Sequence, residues 1–92
     1  MIHATDHFAA RVHERVAPDA DPAEIAAGIR WALEHNRRDL VAYLGRQDRR
    51  GRRRALFRHV SGREFVAVFR TDGEAWTFIT VHRPERDAND RA

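Results

Sequence analysis

His82 closes the run Trp76-Thr-Phe-Ile-Thr-Val-His82, and Arg58, Arg63 and Thr80 fall near it if the intervening chain folds into hairpins. A histidine among arginines suits phosphodiester chemistry. Its imidazole takes a proton from a ribose 2′-OH or gives one to a leaving 5′-oxygen, while guanidinium groups offset the charge that develops on phosphorus. His82, Arg58, Arg63 and Thr80 are therefore the candidate catalytic set. The other histidines invite less. His3 and His7 have i, i+4 spacing, but His3 precedes the first helix, so no metal site is expected. His13 and His35 read as exposed helix histidines, and His59 as an edge residue facing Glu64.

The second chemical feature is the run Arg46-Gln-Asp-Arg-Arg-Gly-Arg-Arg-Arg54, which holds six arginines and one aspartate. Such a run attracts phosphate and makes binding sensitive to salt. Arg46, Arg49, Arg50, Arg52, Arg53 and Arg54 are candidate backbone contacts. Phe65, Trp76 and Phe78 are candidate stacking platforms for bases. The same field would recruit an acidic protein partner.

These residues are positioned by the stretch Arg53 to Arg83, which reads as three antiparallel strands. Ser61-Gly62 and Asp72-Gly73 read as two-residue turns, and X-Gly pairs between alternating apolar runs are strong hairpin signals. That register puts Arg58 opposite Phe65, Leu56 opposite Ala67, Arg54 opposite Phe69, and Phe69 opposite Trp76. One face then carries Phe65, Phe69, Trp76 and Phe78 with Arg54, Arg58, Thr80 and His82. The other carries Ala55, Phe57, Val66, Val68, Thr77, Ile79 and Val81. The aliphatic face is expected beneath the helices, and the aromatic, cationic face is the expected working surface.

Two helices precede the sheet. Thr5 or Asp6 caps the first, whose stripe is Phe8, Val12 and Val16, and Pro18 stops it. Asp21-Pro22-Ala23-Glu24 opens the second, with Ile25, Ile29 and Leu33 toward the core and Trp31 over its edge. Residues 1–4 read as a lead-in. Residues 39–46 fit either a strand or a longer helix, with strand favoured by Asn36 before it and Gly45 after it. The expected fold class is α+β: two N-terminal helices packed on one face of a three- to four-stranded antiparallel meander. Residues 1–85 form the single domain and 86–92 a polar tail.

Ninety-two residues at 42% hydrophobic content allow one modest core. There is no cysteine, which removes disulfides and thiolate metal sites. No apolar run approaches the ~20 residues of a membrane span, and MIHATDHF lacks the pattern of a secretory leader, so a cytoplasmic protein is expected. All 17 basic residues are arginine, the formal charge is +3 and the pI about 10.9. Nucleophile elbows, phosphate loops and dinucleotide fingerprints are absent, and no cofactor is expected.

The order of parts resembles the RelE/ParE-like toxin superfamily, more broadly the barnase–colicin–RelE ribonuclease fold. His7-Phe8-x-x-Arg11-Val12-x-x-Arg15, the segment Gly51 to Phe57, and Phe78-Ile79-Thr80-Val81-His82 carry the likeness. The resemblance implies a bacterial or phage toxin–antitoxin protein that binds RNA or the ribosome. It further implies metal-independent endoribonuclease activity by 2′-OH attack on phosphate, and an acidic antitoxin-like partner over the basic surface. The matching positions are Arg54, Arg58, Arg63, Thr80 and His82, and the resemblance implies a contribution to RNA binding from Arg11 and Arg15 on the first helix. The chain departs from the pattern in having no lysine and one tyrosine, Tyr43. The alternative is a non-catalytic interaction module, such as a phage or mobile-element protein, that binds its partner through the aromatic sheet face.

Overall fold

In the computed structural model, which describes residues 1–84, Thr5 starts the first helix by accepting the Phe8 backbone N–H at 3.0 Å. This helix, α1 (Asp6–Arg11), continues as a π-helical segment over Val12–Val16. The widened turn has a packing reason. In an α-helix each i+4 step carries a side chain roughly 40° past its predecessor. A π turn closes between i and i+5 and carries the next step back. Phe8, Val12 and Val16 therefore all stay buried, and the Ala17 N–H reaches the Val12 carbonyl at 3.0 Å.

Asp21 caps α2 (Pro22–Glu34) as expected, accepting the Ala23 N–H at 2.9 Å with proline in the first helical position. Asn36, at φ 54°, ends the helix in the left-handed region and lets the Arg37 N–H return to the Ala32 carbonyl at 2.8 Å. The buried residues of α2 are Ala26, Ile29 and Ala32, while Ile25 and Leu33 pack at the margin. Trp31 is 46% exposed and stacks on His35 rather than covering the core.

The sheet has five strands and is mixed, not a three- or four-stranded antiparallel meander. Its strands are β1 (Ile2–Ala4), β2 (Val41–Tyr43), β3 (Arg52–Arg58), β4 (Glu64–Asp72) and β5 (Ala75–His82), in the order β1-β5-β4-β3-β2. The lead-in is thus an edge strand, paired in parallel with β5, and the other pairings are antiparallel. The strand reading of residues 39–46 holds for Val41–Tyr43. The expected polar tail, residues 86–92, lies outside the described residues.

Arg30 ties the parallel strand down. Its Nη1 donates to the carbonyls of Met1 at 3.1 Å and Glu74 at 2.9 Å, and its guanidinium lies 5.4 Å from the Trp76 ring centroid.

Two one-residue departures decide which side chains share a face. The first hairpin has the three-residue loop Val60-Ser61-Gly62, closed by the His59 N–H on the Arg63 carbonyl at 2.9 Å, with Gly62 at φ 92°. Arg58 therefore faces Glu64, and Phe57 faces Phe65. In the second hairpin Asp72 faces Ala75 and Phe69 faces Phe78. Its loop is Gly73-Glu74, two residues long like the one expected, so Trp76 and Phe78 keep the company of Phe69. A bulge then intervenes: beyond Phe69–Phe78 the next pair is Val68–Thr80, leaving Ile79 without a cross-strand partner.

The aromatic face is consequently the one the helices cover. Phe65 (1% exposed), Phe69, Trp76 (8%) and Phe78 (0%) join Phe8, Val12, Ile29, Phe57 and Val81 in one core. Phe69 stacks against Trp76 at 5.2 Å and Phe78 at 5.1 Å, and Phe8 meets Phe78 at 5.5 Å. Rings bury more apolar area than any other side chains, so a two-layer fold gains most by turning them inward. Val66 and Val68 are buried too but stand outside this core, on the opposite face.

Candidate nucleic-acid interface

The face that neither helix covers is a grid set by strand pairing. One row across it is Arg52, Arg70, Thr77 and His3; the next is Arg54, Val68 and Thr80. A third is Leu56, Val66 and His82, and a fourth is Arg58 beside Glu64. Arg54, Arg58, Thr80 and His82 do share a face, but it is the face without the rings. The longer first loop moves the arginines there, and the bulge at Ile79 moves Thr80 and His82.

Arg52 and Arg70 stand directly opposite each other. Like charges in that relation destabilise a sheet. Arg52 is partly offset by Asp48, whose Oδ2 accepts its Nε at 3.1 Å. Arg54 and Arg70 have no carboxylate within 4.0 Å among the described residues. Arg58 pairs with Glu64 at 3.7 Å.

Asp48 also shapes the arginine loop. Its Oδ1 accepts the backbone N–H groups of Arg50 at 2.8 Å and Arg52 at 2.9 Å. The Arg52 N–H is the main reason its carboxyl sits below the usual range. Desolvation is the next largest influence and opposes it, while the Arg50 N–H and the Arg52 guanidinium add to the lowering.

The expected catalytic set does not converge. His82 faces Val66, while Arg58 lies beyond β4 at the other side of Glu64, two strand spacings or roughly 10 Å away. Arg63 belongs to the hairpin end, three residues along from Val66, and is not beside His82. Thr80 and His82 are neighbours on the open face of β5. The His82 Nδ1 lies 2.8 Å from the Arg83 carbonyl, which only accepts, so Nδ1 carries the proton and Nε2 is left as the free base.

The expected binding set divides. Arg52 and Arg54 lie on the open face, and Arg46, Arg49 and Arg50 are exposed in the loop before β3. Arg53 turns toward the helix side, where its guanidinium lies 5.6 Å from the Tyr43 ring centroid. Phe65, Trp76 and Phe78 are core residues and offer no platform for a base; the aromatic face cannot serve a protein partner either. Arg11 pairs with Glu14, and Arg15 donates to the Val81 carbonyl at 3.3 Å, both on the helix layer. Arg70, Thr77 and His3 were missed. The alternation Val66, Val68, Arg70 was the signal for the first of them.

Among the described residues no group of three or more His, Asp or Glu could hold a metal ion, and no helix is long and apolar enough to cross a membrane. No family model matches the chain, and neither a curated protein nor a solved structure matches it.

Proposed function

We propose that this protein is a toxin-like RNA-binding protein, related in fold to the RelE/ParE-like group, that holds the phosphate backbone on its helix-free sheet face. The observation that carries this reading is the opposition of Arg52 and Arg70, with Arg54 one row away. Two guanidinium groups side by side are unfavourable until an anion lies between them. The loop arginines 46, 49 and 50 extend the field along the path a strand would follow. An acidic antitoxin-like protein would compete for the same surface.

The test is fluorescence anisotropy with labelled single-stranded RNA across a salt series. Binding should weaken as salt rises, by a slope of about 0.7 per phosphate contact. The double variant Arg54→Gln, Arg70→Gln should lose most of the affinity. Equal affinity for the variant and the parent would sink the reading.

His82 supports a second reading, cleavage of the bound RNA. In the neutral tautomer that donates Nδ1–H to the Arg83 carbonyl, Nε2 is the nitrogen left to accept a proton. It would accept the 2′-OH proton as that oxygen attacks phosphorus and the 5′-oxygen leaves, taking its proton from water. The products would be a cyclic phosphate and a 5′-hydroxyl. Arg58 and Arg63 stand apart from His82, so binding is the primary proposal. Incubation with RNA and ribosomes tests it: His82→Ala should abolish decay, and equal decay in both samples removes His82 from the chemistry.

A further inference from the structure

Tyr43 ends the edge strand β2 with its ring 45% exposed, on the helix side of the sheet. Phe69 backs it from the core at 6.2 Å, and Arg53 lies over it. Beside it opens a depression of about 360 Å³ lined by Tyr43, Gly45, Arg46, Gln47, Arg53 and Arg54. Arg54 belongs to the open cationic face and Tyr43 to the other, so this depression wraps around the sheet edge and joins the two. Gly45 sits at this edge with φ 67°, and a Cβ there would be in ordinary van der Waals contact with Arg54 Nη2 at 3.6 Å.

Arg53 shows a second unusual feature. Its Nε is buried without a partner among the described residues, and its polar contact is a long one, Nη2 to Gln47 Oε1 at 3.5 Å. A guanidinium placed with so little internal bonding is set by its stacking, not by its hydrogen bonds. Three arginines and an exposed ring around one depression combine phosphate recognition with a π-face.

We propose that this depression captures one unpaired nucleotide, its base laid on the Arg53 guanidinium that Tyr43 supports and against the exposed part of that ring, with its phosphates met by Arg46 and Arg54. The inference rests on the RNA-binding reading and adds to it a preference for single strands. A duplex lies on the open face through its phosphates, but its paired, stacked bases cannot round the sheet edge to reach Tyr43. Only an unpaired nucleotide turns into the pocket. Tyr43 thus supplies the stacking that the buried rings of β4 and β5 cannot.

The test compares a short labelled oligouridylate with a blunt RNA hairpin duplex, by anisotropy at fixed salt. Tyr43→Ala should weaken the single strand about tenfold or more and leave the duplex within about twofold. Tyr43→Phe, which keeps the ring, should retain single-strand affinity. Tyr43→Leu repeats the test with an apolar cap kept over Phe69, should alanine loosen the edge. Circular dichroism checks the fold of each variant. The inference is overturned if the ringless variants lose nothing, or lose equally on both RNAs, while Arg54→Gln still weakens both. A parent protein that binds neither RNA overturns the RNA-binding reading itself, and this inference with it.

Discussion

Thr5 donates its hydroxyl to the Ile79 carbonyl at 3.2 Å, on the bulged residue of β5. The same oxygen caps α1 through the Phe8 N–H, and the Thr5 N–H bonds the Phe78 carbonyl at 3.1 Å. One residue therefore satisfies the helix start and the carbonyl that the bulge takes out of the β4 ladder. The bulge sets the facing of His82, so Thr5 influences the open face from the other end of the chain.

Thr5→Ala should cost about 1–3 kcal/mol, the cap and the buried acceptor together. Thr5→Ser, which keeps the hydroxyl, should recover most of it. Urea denaturation of the three proteins checks this; equal midpoints would show that neither bond matters.

Arg70→Gln should move stability and binding in opposite directions. Removing one of two opposed guanidinium groups should raise stability by roughly 0.2–1 kcal/mol. RNA affinity should fall and the salt slope should drop by about 0.7. Thermal melting and anisotropy on the same preparations give both signs.

Phe69→Ala should cost about 3–5 kcal/mol, since the ring stacks on both Trp76 and Phe78 and is fully buried. Phe65→Ala should behave alike. Phe65→Ala, whose ring does not touch Tyr43, should not weaken RNA affinity per folded molecule. A variant that folds to the same midpoint yet loses RNA would return these rings to the binding surface.

Asp48 gives the arginine loop an acid limit. Its carboxyl is lowered in the folded protein, so its contribution is present above the unfolded value of about 3.9 and fades as pH falls through the folded one. Asp48→Asn should flatten the acid side of the stability profile. At neutral pH it should speed amide exchange at Arg50 and Arg52, which hydrogen-exchange NMR would detect.

The helix starts were legible because capping is local: Asp21-Pro22 and Thr5 act within three residues of themselves. The grouping of Phe65, Phe69, Trp76 and Phe78 was legible as well, since alternation sorts each strand and a two-residue second loop, whose pairing is shifted by two positions, keeps the same parity between them. The allocation of faces was not. Ser61-Gly62 fits a two-residue turn, but the observed loop adds Val60 and inverts β3 against β4. Ile79 gives no sign of a bulge, because the hydroxyl that satisfies its carbonyl comes from Thr5. Ile2–Ala4 likewise holds too few residues to read as a strand, and its pairing partner is β5. Arg54, Arg58, Thr80 and His82 still share a face, the opposite one from that expected, because two independent slips moved both groups to the same side.

The parallel pairing of Ile2–Ala4 with Trp76–Phe78 also bears on synthesis. Among the described elements β1 precedes both helices and its partner β5 follows every other strand, so both helices must wait without their complete sheet while translation proceeds. A nascent chain halted at the end of β4 would display Phe8, Phe65 and Phe69 to solvent as a sticky surface. Chaperone dependence of such truncated chains should therefore end abruptly once β5 clears the exit tunnel.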